Sequence, residues 1–353
     1  MYPFTDGSFA IKNAWYVAAW PDEITRTPFE RWILNEPVAL YRKEDGTPVA
    51  IQGRCPHRHF PLGKSQVCGD DIVCGYHGMS FGPDGSCTGI PSLGGKALPG
   101  YRIKSYPIVE RGLWAWIWTG DPDKADESLI PNMEELGFNT PGVHFRPFYQ
   151  LEVKCRYQLL NDNLLDLTHI AYLHGTTFGA PENASAQEER EERPGVLLSR
   201  RWMRNIEQVN YMHLLDFGYK GNVDRVSGMN FYLPGFHAGL DDTFIPVDHP
   251  TRGGERVIMG RVFHAVTPGR LNTTNYFFGM GSTNEAGLDI MFEYLKAVIQ
   301  EDVFASEEIE QMLQRIGGTP PKELLVRSDV NGTAGRRMMQ AMIDAENNVI
   351  TRQ

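Results

Sequence analysis

The chain has 353 residues, 41% of them hydrophobic and 22% charged, a balance that describes an ordinary globular protein large enough for two domains with separate cores. Its 34 Lys and Arg against 44 Asp and Glu give a formal net charge of -10, which argues against a nucleic-acid or anionic-membrane surface. No run approaches the roughly twenty apolar residues of a membrane span, residues 1–7 lack the parts of a secretory signal, and five cysteines fit a reducing compartment, so the expected location is cytoplasmic.

Residues 13–120 read as short strands punctuated by Gly and Pro. They include Trp15-Tyr16-Val17-Ala18, a hairpin of Val38-Ala39-Leu40-Tyr41 and Val49-Ala50-Ile51 around an Asp45-Gly46 turn, and Tyr106-Pro107-Ile108-Val109. The tryptophan-rich Leu113-Trp114-Ala115-Trp116-Ile117-Trp118 is too short to span a membrane and reads as a buried strand. Within this all-β module lie Cys55-Pro56-His57 and Cys74-Gly75-Tyr76-His77, with sixteen residues between His57 and Cys74. Each cluster offers one thiolate and one imidazole. Two cysteines and two histidines can close around one zinc, or hold a Rieske 2Fe-2S cluster with the thiolates on one iron and the imidazoles on the other. Zinc fingers usually keep both cysteines in one knuckle and both histidines on a helix. The split order here, and hairpins in place of a finger helix, favour the dinuclear cluster, with the Pro83-Asp84-Gly85 turn close enough in sequence to cap it. Cys68, Cys87 and Cys155 read as small buried hydrophobes.

Gly120-Asp121-Pro122-Asp123 breaks the pattern, and the acidic stretch that follows reads as a connection, giving domains 1–135 and 136–353. The second half mixes helix and strand signals. Residues 159–174 read as a helix in which Asn163, Asp166 and His169 recur at steps of three while Leu160, Leu164, Leu165 and Leu167 pack. His174 would be rotated well away from His169 on a regular helix, so the helix must end or distort for both imidazoles to converge, and Gly175 offers a stop. The run Gln187-Glu188-Glu189-Arg190-Glu191-Glu192-Arg193 reads as a solvated face or a mobile loop. Residues 196–280 read mostly as strands. No phosphate-cradling loop or dinucleotide fingerprint occurs, so NAD(P)H and ATP are not expected to bind this chain.

One long helix is expected over residues 288–316, ending at Gly317-Gly318. Its apolar stripe is Met291, Leu295, Val298, Ile309, Leu313 and Ile316, with Asp302 in the middle; Glu293, Glu301, Glu307, Glu308 and Glu310 fall off it and are expected in solvent. A carboxylate on a buried face needs a partner or a metal. His169, His174 and Asp302 would form a two-histidine, one-carboxylate triad for Fe(II), although each histidine could be structural and Asp302 could pair with an arginine such as Arg315. A Rieske cluster stores one electron and needs an acceptor, which a mononuclear iron would provide.

Cys-x-His, sixteen residues and Cys-x-x-His resemble the Rieske domain of Rieske non-haem iron oxygenases, and Asp166-x-x-His169-x-x-x-x-His174 resembles their iron-binding helix. With Asn13-Ala14-Trp15-Tyr16-Val17-Ala18-Ala19, Asp162-Asn163-Leu164-Leu165-Asp166 and Gly335-Arg336-Arg337, the likeness covers nearly the whole chain and is closest to the vanillate and dicamba O-demethylase oxygenase subunits. The resemblance implies an α+β chain: an N-terminal all-β Rieske 2Fe-2S domain, then a helix-grip catalytic domain in which an antiparallel sheet surrounds a long helix. It implies Cys55, His57, Cys74 and His77 as cluster ligands and His169, His174 and Asp302 as ligands of mononuclear Fe(II). It also implies a head-to-tail homotrimer in which Asp166 bridges His77 of one chain to His169 of the next, with Asn163 nearby. Electrons would come from NAD(P)H through a separate reductase or ferredoxin. O2 and an aromatic substrate would be consumed, with O-demethylation of a methoxylated aromatic acid first among the outcomes. Methyl or ring hydroxylation and N-demethylation are the alternatives on the same scaffold, and a Rieske electron-transfer protein without oxygenase activity is the alternative of another class. His264 matches a strand position that contacts the aromatic acid in the dicamba-type enzymes, and Asn230 or Phe231 lies where another pocket residue sits.

Overall fold

The computed structural model describes residues 9–175, 177, 182–319 and 321–350; the amino-terminal stretch 1–7 lies outside them. Contacts divide the chain into two compact units. One holds Lys12–Ile130 together with Thr267–Leu271, and the other holds Pro131–Val266, the described residues before Lys12 and those from Asn272 on. The division falls after Ile130, a few residues before the sequence split at 135. The short return Thr267–Leu271 belongs to the first unit because Thr267 Oγ1 donates to the Val17 carbonyl (2.7 Å) and the Leu34 amide donates to the Pro268 carbonyl (2.9 Å).

The first unit is all-β, as the strand pattern predicts. Trp15–Ala19 and Ile108–Arg111 flank Trp114–Trp118, whose five residues are all buried. A second sheet places Phe29–Ile33, Glu36–Arg42, Pro48–Gln52 and Ser105–Tyr106 side by side, and a third holds Gln66–Cys68, Asp71–Val73, Ser80–Phe81 and Cys87–Gly89. Tyr41, Ile51, Leu62, Ile72 and Phe81 form a common core that also takes in Cys55 and Cys74. Cys87 and Cys155 are buried as expected, whereas Cys68 is exposed because it sits at the hairpin turn beside Gly69.

The second unit is built on a seven-stranded sheet ordered His144–Val153, Thr274–Ser282, Arg256–Pro268, Phe236–Phe244, Val223–Tyr232, Val196–Ile206 and Glu188–Arg193. The last of these is the charged run, which is an edge strand and not a loop. Glu188 and Glu189 sit opposite Arg201 and Arg200, so the charges pair across the ladder, and a charged edge is compatible with water.

The long helix spans Glu285–Ile316, with the Asn284 side chain accepting from the Gly287 amide at one end and Gly317 at φ 63° at the other. Met291, Leu295, Val298 and Asp302 are buried as the periodicity predicts, but the buried face then drifts to Ser306 and Glu310, leaving Ile309 and Ile316 about half exposed. Polar contacts redirect it. Glu307 accepts from the Lys154 amide, and Glu310, fully buried, accepts from Arg156 Nε (2.6 Å) and Nη2 (2.8 Å). Glu310 and Glu301 are thus not the solvent-exposed acids that the helical wheel suggests.

A second long helix, Val330–Ile350, follows the one that the periodicity predicts. It lies against Tyr157–Leu165, where Gly335 has no room for a Cβ, 2.7 Å from Leu165 Cδ1, and Arg336 donates to both oxygens of Asp162. The Glu310–Arg156 pair supplies a stability test. Burial pushes the Glu310 carboxyl up, but the bonds from Arg156 outweigh it and hold the group below its ordinary value of 4.5. Its contribution is therefore present above pH 4.5 and lost as pH falls through the lowered folded-state value. Glu310→Gln should cost about 3 kcal/mol at neutral pH by leaving a buried charge unpaired, and the loss should shrink toward pH 3 in denaturant titrations.

Candidate metal centres and cavity

The two cysteine-histidine clusters of the first unit occupy twin loops. In one, the Cys55 amide donates to the Phe60 carbonyl and His59 N donates to Cys55 O; in the other, the Cys74 amide donates to Met79 O and Gly78 N to Cys74 O. The fifth residue of each loop takes a positive φ, 58° at His59 and 72° at Gly78. Cys55 and Cys74 are 2% exposed, while His57 and His77 lie at the surface with ring centroids 4.6 Å apart. Burial pushes the Cys55 thiol up to about 11, while the backbone amides of His57 and Arg58 favour its thiolate. Two buried sulfurs below two exposed imidazoles suit a group with one thiolate-bound and one imidazole-bound iron.

The second centre depends on a helix that stops early. Tyr157–Leu165 is helical, but Asp166 leaves the helix at φ -108° and ψ 89°, nine residues before the Gly175 stop expected from sequence. Asp166 Oδ1 then accepts from the Thr168 amide (2.9 Å) and hydroxyl (2.6 Å), capping the 3-10 segment Leu167–Ala171. The break brings the His169 and His174 rings to 5.1 Å between centroids. Their nitrogens and an Asp302 oxygen lie within 4.8 Å of one another. Two imidazoles and one carboxylate fit a mononuclear ferrous ion with other positions left open.

Asp302 carries the negative charge of this cluster while only 4% exposed. Burial pushes its carboxyl up, but hydrogen bonds with His169 and His174 prevail and hold it well below the usual range. Asn163 Nδ2 donates to Oδ1 at 3.1 Å, so Asn163 adjoins the carboxylate, and Arg315 is not its partner. The Asp166 carboxylate does not touch His169: it is the Asp166 backbone carbonyl that meets His169 Nδ1. Glu301, like Glu310, is an acid that the helical wheel misplaced. Its Oε2 lies 2.7 Å from His174 Nδ1 and accepts from Thr177 Oγ1 (2.9 Å), leaving His174 Nε2 to face Asp302 at 3.1 Å. Being adjacent to Asp302 in sequence was the one available signal.

Beside this centre the sheet and the long helix enclose a cavity of about 120 Å³, close to the roughly 150 Å³ of cavities that admit a benzene ring. Leu164, Ile170, Met229, Met259, Phe278 and Leu295 make most of its wall apolar. His264 lines it. Burial lowers this imidazole to about 4, with the Asp302 charge opposing, so it is neutral at pH 7, and Nδ1 contacts the Tyr276 hydroxyl. The other two pocket candidates do not line this cavity. Asn230 follows Met229 and so faces the opposite side of the sheet, and Phe231 is buried against His237, with ring centroids 4.4 Å apart. Arg225, Tyr211 and Asp241, which sequence reading passed over, do line it.

Two outcomes follow. Glu301→Gln keeps an acceptor for His174 but removes the charge that makes the imidazole more basic, and Glu301→Ala removes both; ferrous ion affinity, read by competition with a chromogenic chelator, should fall about 10-fold in the first and up to about 100-fold in the second. For His264, the folded state prefers the neutral ring, so its stability contribution is complete above the ordinary value of 6.5 and declines as pH falls toward about 4. His264→Gln should flatten that part of the stability profile, measured by thermal unfolding between pH 4 and 7.

Comparison with known proteins agrees with this geometry. Residues 14–107 match the Rieske [2Fe-2S] domain, and residues 153–345 match the vanillate O-demethylase oxygenase C-terminal domain. The iron-sulfur subunit of the toluene-4-sulfonate monooxygenase system of Comamonas testosteroni is 33% identical over 96% of this chain and 98% of its own. A vanillate O-demethylase oxygenase subunit of Pseudomonas sp. is 31% identical, covering 95% of both. Dicamba monooxygenase bound to 3,6-dichlorosalicylic acid superposes with a TM-score of 0.86 at 27% identity, over 96% of this chain and 98% of that one; the same enzyme is known with non-heme iron and dicamba (TM-score 0.80). Two matched domains, two centres suited to iron and relatives aligned end to end make this chain an oxygenase component of the Rieske non-haem iron oxygenases, an oxidoreductase with a 2Fe-2S cluster and a mononuclear iron.

Proposed function

We propose that the protein oxidises a methoxylated aromatic acid by O-demethylation, releasing formaldehyde and a phenol. The observation that carries this reading is the set His169, His174 and Asp302 at the wall of an apolar cavity large enough for an aromatic ring. When bound, the cluster supplies single electrons and the ferrous ion supplies a place where O2 is reduced beside the substrate. The overall balance is one ArOCH3, one O2, two electrons and two protons giving ArOCH2OH and water, after which the hemiacetal separates into ArOH and formaldehyde.

The residues divide this work. Cys55, His57, Cys74 and His77 hold the cluster. His169, His174 and Asp302 hold the iron, and Asn163 steadies Asp302 by its 3.1 Å hydrogen bond. The apolar wall excludes water from the reacting carbon, and neutral His264 offers a hydrogen bond without adding charge. Copies of the chain assemble as a head-to-tail trimer, in which the Asp166 carboxylate reaches His77 of a neighbouring copy while its carbonyl oxygen stays on His169. A reductase or ferredoxin delivers electrons from NAD(P)H, and the enzyme acts in the cytoplasm; among the described residues no helix is long and apolar enough to cross a membrane.

The toluene-4-sulfonate relative gives a second reading the same cavity, hydroxylation of an aryl methyl group. Oxygen uptake with a surrogate reductase over methoxylated and methylated aromatic acids separates the two: formaldehyde supports demethylation, and a benzylic alcohol without formaldehyde supports hydroxylation. Metal analysis should give three irons per chain, and two would indicate an electron carrier. Asp166→Asn should keep both metals yet lose cluster-to-iron electron transfer in single-turnover spectroscopy, and normal turnover would remove the bridging role.

A further inference from the structure

The cavity has a second polar feature that the oxygenase reading leaves unused. Arg225, 1% exposed, donates from Nε to Asp241 Oδ1 (2.9 Å) and from Nη2 to Oδ2 (2.8 Å). The Tyr211 hydroxyl donates to the same Asp241 oxygen, and the Tyr211 ring centroid lies 5.6 Å from the guanidinium carbon. Ser227, directly across the ladder from Asp241, carries a buried hydroxyl with no hydrogen-bond partner among the described residues. Arg225, Asp241, Tyr211 and Ser227 all line the cavity.

Strand register separates this group from the iron-binding side. His264 is opposite His237 on the neighbouring strand, and Gly260 is opposite Asp241, so the two levels are four residue steps apart, about 13 Å at 3.3 Å per residue. The short helix Asn210–Leu215, which carries Tyr211, meets the long helix near its start, where Asn284 Nδ2 donates to the Leu215 carbonyl, whereas Asp302 lies eighteen residues further along. Between the two levels the cavity wall includes Gly239, over which the Met229 and Val262 side chains pack.

We infer that Arg225 and Ser227 are specificity-determining residues that bind an anionic oxygen group, carboxylate or sulfonate, para to the carbon that is oxidised. Asp241 accepts three hydrogen bonds, from two arginine nitrogens and one phenol, which fixes the guanidinium, and the Ser227 hydroxyl beside them is left to donate into the cavity. Burying an aryl acid is costly without a positive partner, and Arg225 is the one lysine or arginine among the described lining residues. Its charge is formally balanced by Asp241, so the gain is one of direction and hydrogen bonding more than of net attraction. A para-disubstituted ring, held by one hydrogen bond at the acid and one near-attack contact at the reacting carbon, puts its two groups at opposite ends. Ortho and meta isomers turn one substituent toward the apolar wall. Asp241 and Tyr211 act through Arg225 as positioning residues, fixing the guanidinium before substrate arrives.

This inference rests on the aromatic-acid reading, and calorimetric binding to the iron-loaded enzyme tests it separately. The probes are 4-methoxybenzoate, 3-methoxybenzoate, 4-toluenesulfonate and the neutral 4-methoxytoluene. The wild type should bind at least one para acid about tenfold more tightly than both the meta acid and the neutral ether. Ser227→Ala, which leaves no buried group unpaired, should weaken the para acids several-fold and the neutral ether not at all. The double variant Arg225→Met with Asp241→Asn removes the ion pair without stranding a charge and should reduce the para-to-meta preference to within threefold. A para preference that survives in both variants overturns the assignment, as does a wild type that prefers the meta isomer, while either result leaves the aromatic-acid reading standing. Equal binding of acids and neutral ether overturns the anionic anchor and, if no acid is turned over, the aromatic-acid reading with it.

Discussion

Burying one ionised carboxylate on the apolar face of a long helix sets the terms for the catalytic unit. Asp302 follows Leu295 and Val298 into the interior, where an unsatisfied charge would cost several kcal/mol. The compensation comes from a segment about 130 residues earlier, through Asn163, His169 and His174. For both imidazoles to arrive on one side of Asp302, the Tyr157–Leu165 helix has to break at Asp166. The same side chain chemistry that ends the helix, a carboxylate binding an amide two residues on, therefore shapes the centre.

The order of ligands in the first unit and the lone acid in an apolar stripe made both centres legible, because spacing and periodicity are properties of the chain itself. What escaped the reading depends on partners distant in sequence. Glu310 looked like a surface acid until Arg156 approached it, and Glu301 until His174 did. The charged run became a strand only because Arg200 and Arg201 stand across from it. The Arg225–Asp241 pair lies on two strands whose register no local pattern specifies. Asn230 shows the converse limit, since one residue along a strand exchanges the cavity for the outer face.

The two units solve a similar problem in opposite ways. Around Cys55 and Cys74 the chain buries the sulfurs and leaves the imidazoles outside, so the histidine side of the cluster is the side presented to other molecules. Around Asp302 the chain buries carboxylate and imidazole together and keeps the apolar cavity at hand. An aromatic substrate meets almost no polar surface until its far end reaches Arg225.

The Glu188–Arg193 edge closes one side of the catalytic sheet with four acids and two arginines, and Glu188, Glu189 and Glu192 are already matched to Arg201, Arg200 and Arg337. A strand from another molecule arriving there would have to dehydrate those charges and displace their partners before forming a single ladder bond. Sheet extension is thereby discouraged at the very edge where a long antiparallel sheet would otherwise continue from copy to copy.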